Sequence, residues 1–221
     1  MHSAKPTKIV LIGAGGNSLE ALDAICAGRE AGLPISCVGI LDDNPELTGQ
    51  NIFGVPVLGR VEDAGRMPDV RFVLGIGSVT GYRERHLHID RAGLSEDRFV
   101  SVIHPSAVIS PHASIGAGSI ILQNAVVCSS AVVGRHVLVL PNTTVNHNCV
   151  VEDYACLGGH VCVSGNVRIG KSAYIGSGSS ILSNVRIGDE ALVGLGAVVI
   201  RDVDPRTVVV GNPAKFLRTV G

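Results

Sequence analysis

The sequence predicts a small α/β domain followed by a parallel β-helix, on three observations. An aliphatic residue stands at every sixth position from Ile103 to Val199, and a small residue precedes nearly every one by two. Before residue 100, short apolar runs alternate with helical patterns. The expected boundaries are 1–100 for the α/β domain, 101–205 for the β-helix and 206–221 for a C-terminal tail.

Composition favours thin stacked layers over a bulky core. Apolar residues are 46% of the 221, yet aromatics are 3%, Trp is absent and Gly numbers 28. Large aromatic side chains normally supply much of a globular core's buried area. The formal net charge of −1 gives no electrostatic case for a nucleic-acid partner. The start, Met-His-Ser-Ala-Lys-Pro-Thr-Lys, has no apolar segment of signal-peptide type. No apolar run reaches the roughly 18 residues that span a bilayer. The six cysteines at 26, 37, 128, 149, 156 and 162 form no Cys-x-x-Cys pair, and several fall where the repeat wants a small residue. Packed free thiols and a cytoplasmic protein are the expectation.

In the first domain, Lys8–Ile12 reads as a buried strand. The turn Gly13-Ala14-Gly15-Gly16-Asn17 follows, then a helix over 18–31 with Ser18 as N-cap and Glu20 and Asp23 near its positive end. Ser36–Leu41 is a second strand ending at Asp42-Asp43, and Arg71–Ile76 a third, followed by a helix through Ala92. This alternation argues for a small parallel sheet with helices, Rossmann-like in kind. The glycine turn is only a partial dinucleotide fingerprint, since Ser18 occupies the third glycine position and the acidic pair comes late. A mononucleotide-type site fits better: glycine amides and a helix N-terminus facing phosphates, and Asp42 or Asp43 accepting from base or ribose. A tight turn without a ligand is the plain alternative.

In the second region the count of sixes runs without a slip through seventeen members, ending Ile187, Val193, Val199. One aliphatic and one small inward residue per six is the hexapeptide β-helix signature. Three strands make one triangular coil, so residues 18 apart stack at about 4.8 Å. A plain scaffold solenoid is the alternative to an enzyme.

Acyl transfer from a thioester needs a base and hydrogen-bond donors for the developing oxyanion. Of the eight histidines, His147 in Val145-Asn146-His147-Asn148-Cys149 falls at a corner, where a side chain can face a groove. One coil further on, 18 residues later, stands Gly165, whose lack of a side chain leaves room and whose N–H could approach an acyl oxygen. A surface corner residue is the alternative reading of His147. A metal-dependent hydratase is not supported, because nothing in the spacing of His136, His147 and His160 brings three imidazoles together.

Three segments together resemble the bacterial nucleotide-amino-sugar N-acetyltransferases and sialic-acid O-acetyltransferases of the hexapeptide-repeat acyltransferases. They are the Gly-Ala-Gly-Gly turn with Leu41-Asp42-Asp43 and a later Gly-Val-Pro-Val, the entry His104-Pro105-Ser106-Ala107, and the terminal Gly211-Asn212-Pro213-Ala214-Lys215. The resemblance covers nearly the whole chain and implies a left-handed helix. It also implies a homotrimer with active sites between prisms, acetyl-CoA as acyl donor with no metal, and a tail near the CoA site. By the same resemblance His147 is the general base, and the Gly165 amide stabilises the tetrahedral intermediate. Gly15, Gly16, Asn17, Asp42 and Asp43 hold the nucleotide sugar, and Ser177 and Leu195 line the CoA groove. The chain departs from the family where Asn148 replaces an acidic residue beside the base and Cys156 a histidine near the acyl group. Glu152 and Asp153 are the carboxylates that could compensate for Asn148. The expected reaction is direct N-acetylation of a nucleotide-linked amino sugar in a ternary complex, serving surface-glycan synthesis. Sugar O-acetylation is the runner-up, and a non-catalytic nucleotide-sugar-binding scaffold a third reading.

Overall fold

In the computed structural model, which describes residues 5–221, the chain builds a five-stranded sheet unit and then a triangular prism of short strands. The first unit runs β1 (Thr7–Ile12), α1 (Gly16–Glu30), β2 (Ile35–Leu41), β3 (Asn51–Ile52), β4 (Val55–Gly59), β5 (Arg71–Leu74) and α2 (Arg85–Ala92). Its order is β3-β4-β2-β1-β5, parallel except for the β3–β4 hairpin. The central position of β1 explains its unbroken apolar run: Ile9, Val10, Leu11 and Ile12 are all enclosed.

Two details differ from the sequence reading. Helix α1 starts two residues early, with Gly15 as N-cap and no acidic residue in its first turn. Ser18 is not the cap; it lies inside the helix, fully buried, with its hydroxyl unpaired among the described residues. The strand expected over 71–76 stops at Leu74, which frees Gly75, Ile76 and Gly77 to form a loop beside the glycine turn.

From Val102–Ile103 to Val198–Val199 the chain lays down seventeen two-residue strands, one per six residues. Each pairs in parallel with the strands 18 residues away, as in Val126↔Thr144 and Val127↔Val145. Three ladders result, of six, five and eight strands, the last completed by Thr207–Val210 and the antiparallel Lys215–Thr219. The second residue of each strand is the aliphatic one and points inward, so Val139, Val145, Val151, Leu157 and Val163 are all at 0% exposure. The small inward positions that carry a hydroxyl are satisfied: Ser119, Thr143 and Ser179 each donate to a carbonyl 15 residues on.

The corners obey a second six-residue rule that the apolar count does not reveal. Fourteen successive corner residues, from Gly118 through Asn148 and Asn166 to Gly196, have positive φ. Asn, Ser, His and Gly dominate these places because short polar side chains tolerate the left-handed region. From Ser130 to Gly196 each left-handed residue sends its N–H to a carbonyl of the coil before, as Asn148 does to that of Ser129 and Asn166 to that of His147.

The prism's eight-strand face is covered by the first unit. Its outward column, Val102, Ile120, Leu138 and Cys156, joins Leu11, Ala21, Leu22 and Ile25 in one buried cluster, with Tyr174 and Leu192 packed against it. The outward positions of the other two faces include exposed Val108, Val132, Cys162, Arg168 and Arg186. Arg85, fully buried, bolts the junction: Nε donates to the Ile76 carbonyl (2.7 Å) and Nη1 to the Tyr154 carbonyl on the prism (2.8 Å). Nearby, Tyr82 donates to the Glu190 carbonyl at 2.8 Å. His136 is also enclosed, stacked on Tyr154, edge-on to Phe99, and 3.3 Å from the Glu96 carboxylate.

Replacing Arg85 with Met should lower stability by about 2–4 kcal/mol, since two charge-assisted bonds vanish and two buried carbonyls lose their partner; denaturant unfolding measures this, and Tyr82→Phe should cost less. Burial holds the His136 imidazole below its ordinary 6.5, with the Arg85 and Arg135 charges acting the same way and Glu96 opposing. The unfolded chain therefore binds the extra proton first, and stability should fall as pH drops below about 6.5. His136→Gln should flatten that part of the stability–pH curve, as read from thermal midpoints between pH 5 and 8.

Candidate active site

His147 sits at the corner joining the six-strand and five-strand faces, between Thr144–Val145 and Val150–Val151. Its ring lies over Gly165, one coil on: a Cβ built there would stand 2.5 Å from Cε1 and 2.6 Å from Nε2. The room left by the missing side chain is thus filled by the imidazole itself. Only glycine fits beneath it. Gly165 is buried under the ring, its carbonyl accepts from the Asn184 N–H, and among the described residues nothing accepts from its own N–H. Asn148, in the left-handed corner position, places its side-chain amide 3.2 Å from His147 Nδ1 and 3.1 Å from the Asn166 amide. His147, Asn148 and Gly165 therefore form one constellation.

Glu152 and Asp153 do not reach it. They occupy the next corner, where Glu152 pairs with Arg168 at 2.8 Å and Asp153 forms a two-toothed bond with Arg135. The Arg135 guanidinium offsets burial and holds the Asp153 carboxyl below its usual range. Compensation of Asn148 by either carboxylate is corrected by this geometry.

The glycine turn is the second constellation. Gly13 has φ +96°, and a Cβ there would strike Ile76, so its glycine is dictated by the fold. Gly15 and Gly16 are different: a Cβ at either would meet nothing within 4 Å. Their N–H groups, with that of Asn17, open the N-terminus of α1 and have no acceptor among the described residues. Such a terminus attracts an anion. The Asn17 side chain donates to the Gly77 carbonyl, tying the turn to the loop after β5. The acidic pair is largely committed to bracing. Asp42 accepts from Ala14 N–H at 2.7 Å and Asn44 N–H at 2.9 Å, while Asp43 accepts from Val61 and pairs with Arg91 at 2.8 Å. Any ligand would have to share these oxygens.

Ser177 and Leu195 stack 18 residues apart on a different prism edge, between the eight-strand and six-strand faces; both are exposed, Leu195 at 76%. Cys156 does not join them. It is 4% exposed, its thiol is pushed up by burial against a partly offsetting Arg85 charge, and it faces the covered junction. Its expected place beside a cofactor is therefore corrected: the α/β unit closes over it. Arg85, Gly77 and Asn166 were missed by sequence reasoning. The repeat count alone stacks Asn166 on Asn148, so that neighbour was findable; Arg85 lies in an unremarkable helix and carried no signal. Among the described residues no group of three or more His, Cys, Asp or Glu is placed to hold a metal, and no helix is long and apolar enough to cross a membrane.

The candidate half-sites do not meet within one chain. The glycine turn lies over the eight-strand face, where Gly77 abuts Leu138 and Glu20 lies 3.5 Å from Gln123. His147 stands on the corner that faces away from it.

No family model matches the chain. It is similar to UDP-N-acetylbacillosamine N-acetyltransferase of Bacillus subtilis, 28% identical over 116 residues, which are 52% of this chain and half the length of that relative. Among solved structures, the acetyltransferase domain of PglB from Neisseria gonorrhoeae, in complex with acetyl coenzyme A, superposes with a TM-score of 0.86 at 28% identity. That match covers 96% of this chain and 100% of the other. PerB from Caulobacter crescentus, in complex with CoA and GDP-perosamine, gives 0.82 at 27%, over 95% of this chain and 97% of that one. The short parallel strands match the left-handed β-helix of these acetyltransferases. By sequence and by fold, the homologues of this chain are the nucleotide-amino-sugar N-acetyltransferases of the hexapeptide-repeat family.

Proposed function

We propose that the chain is an acetyl-CoA-dependent N-acetyltransferase acting on a nucleotide-linked amino sugar, with His147 as general base and direct transfer in a ternary complex. The observation that carries the reading is the His147 ring seated on Gly165 with an amide at its Nδ1. In this mechanism the sugar amine attacks the thioester carbonyl and Nε2 of His147 takes the amine proton. The Gly165 N–H, left without a partner among the described residues, donates to the oxyanion. The C–S bond then breaks, and the CoA thiolate leaves and is protonated. Ser177 and Leu195 would flank the CoA, with the tail from 206 nearby. Gly15, Gly16 and Asn17 would face the phosphates at the head of α1, and Asp42 and Asp43 would share their oxygens with the base or ribose.

Two observations on relatives support the choice of substrates. One neighbour holds acetyl coenzyme A, and another holds CoA with GDP-perosamine. A related structure from Caulobacter crescentus is of a perosamine N-acetyltransferase in which a histidine is replaced by asparagine. The Bacillus subtilis relative and the perosamine enzyme are N-acetyltransferases by name, which favours N- over O-acetylation. A cytoplasmic homotrimer goes with the reading, because His147 and the glycine turn lie on different sides of one prism. A site needing both must be completed by a neighbouring copy.

Five outcomes test this. His147→Ala should lower CoA release by at least about a hundredfold, read with a thiol reagent on a panel of UDP- and GDP-amino sugars; undiminished turnover would sink the base assignment. Gly165→Ala should displace the imidazole and lower kcat by about tenfold or more, with the thermal midpoint little changed. Gly16→Asp suits a helix N-terminus but repels phosphate, so titration calorimetry should show lost nucleotide-sugar binding in a stable protein. Light scattering should give a trimer, and co-expressing His147→Ala with Gly16→Asp chains should restore part of the activity. Co-expression without recovery would place both half-sites in one chain.

A further inference from the structure

The six-strand face differs from the other two in what it turns outward. Its column is Val108, Val126, Thr144, Cys162, Ser180 and Val198, without a charge. The five-strand face carries Arg168 and Arg186, and the eight-strand face lies under the chain's own α/β unit. An uncharged face is the one that can meet other copies around a three-fold axis at little desolvation cost. That face is flanked by two unlike edges. One holds His147 and Gly165; the other, shared with the eight-strand face, holds His160, Ser177 and Leu195. Rotation about an axis parallel to the prisms therefore sets the His147 edge of one copy against the His160 edge of the next, with no shift along their length.

Height along the prism follows from the count of eighteens. At about 4.8 Å per coil, His160 stands about 3.5 Å beyond His147 and about 1 Å short of Gly165. It is level with a thioester held between the base and the Gly165 N–H. Past His160 the same edge opens into a lane. Asn124, Asn142, His160, Gly178 and Gly196 form one left-handed column, so the φ there accepts a polar side chain, yet the last two have none. Among the described residues a Cβ at Gly178 would meet only Gly196 Cα, at 3.9 Å, and one at Gly196 nothing within 4 Å. Exposed Ser177 and Leu195 stand beside this lane, and the His160 ring closes its lower end, exposed and 3.4 Å from the Asn142 amide.

We propose that His160 of the adjoining copy is a second catalytic residue: as imidazolium it hydrogen-bonds the thioester sulfur and protonates the departing CoA thiolate. The proposal rests on the reading of His147 as base in a trimer. The sugar nitrogen bonds to the acyl carbon and the C–S bond breaks; the amine proton goes to His147 Nε2 and the His160 proton to sulfur. Solvent then takes the proton from His147 and returns one to His160, which closes the cycle. Imidazoles on opposite walls let one tetrahedral intermediate lose a proton at nitrogen and gain one at sulfur. The CoA arm runs from His160 along the lane over Gly178 and Gly196.

The test uses His160→Gly, which suits the left-handed φ of 58°. Its kcat should fall by about tenfold or more, while acetyl-CoA affinity by calorimetry, the thermal midpoint and the trimer stay as in wild type. Added imidazole should recover part of the lost rate, which a merely structural role would not allow. Co-expressed His160→Gly and His147→Ala chains should regain about a quarter of the wild-type rate, because random assembly sets an intact His147 against an intact His160 of the next copy at about one site in four. An undiminished kcat in His160→Gly, a loss that imidazole leaves untouched, or mixed chains no better than either parent overturns the proposal. Full activity in His147→Ala, or an active monomer by light scattering, instead overturns the reading on which it rests.

Discussion

The prism closes because its corners turn in the left-handed region once every six residues, so that each third strand falls on the one laid down 18 residues before. That constraint fixes which side chains can stand next to which. Inward aliphatics stack on inward aliphatics, and corner residues stack on corner residues, in columns that run the length of the molecule. His147 and Gly165 are two steps of one column, Asn148 and Asn166 two steps of the next. The surroundings of His147 are therefore written along the axis, in residues 18 apart, as much as in its immediate sequence neighbours. Glu152 and Asp153 are close in the chain and belong to another edge.

The α/β unit serves the prism in two ways. It removes one of three faces from solvent, through Leu138, Cys156 and their column against α1 and β1. It also carries the glycine turn, whose orientation is held by Asn17 to the Gly77 carbonyl and by Arg85 from Ile76 to Tyr154. The turn is thus a fixed fitting on the prism wall. Gly15 and Gly16 have open space in front of them.

Much of this was legible before any coordinates. Counting in sixes located the seventeen strands, the inward column and the pairing of His147 with Gly165. Apolar alternation located β1, β2 and β5, while the β3–β4 hairpin and the strand order were not read from it. What escaped has a common cause: it depends on contacts between segments remote in sequence. Cys156 looks like any small repeat residue until the α/β unit is seen lying over it. Arg85 looks like one more charge on a surface helix, and its burial follows from a docking that no local pattern encodes. Ser18 had the chemistry of an N-cap, but the glycine turn hands the chain to the helix three residues sooner. Asn148 looked like a lost carboxylate; its left-handed φ of 58° shows a position where asparagine suits the backbone.

The covered face has a consequence for how such a chain can change over time. The wall between the two units is built from both, with one set of apolar residues spaced by eighteens and the other by the pitch of a helix. A foreign α/β unit joined at residue 100 would have to match that lattice of bumps or leave the prism with a wet, apolar flank. Variation should therefore accumulate in the loops at the rim of the existing unit, such as those after β2 and β5, while the unit as a whole is inherited with its prism as a single piece.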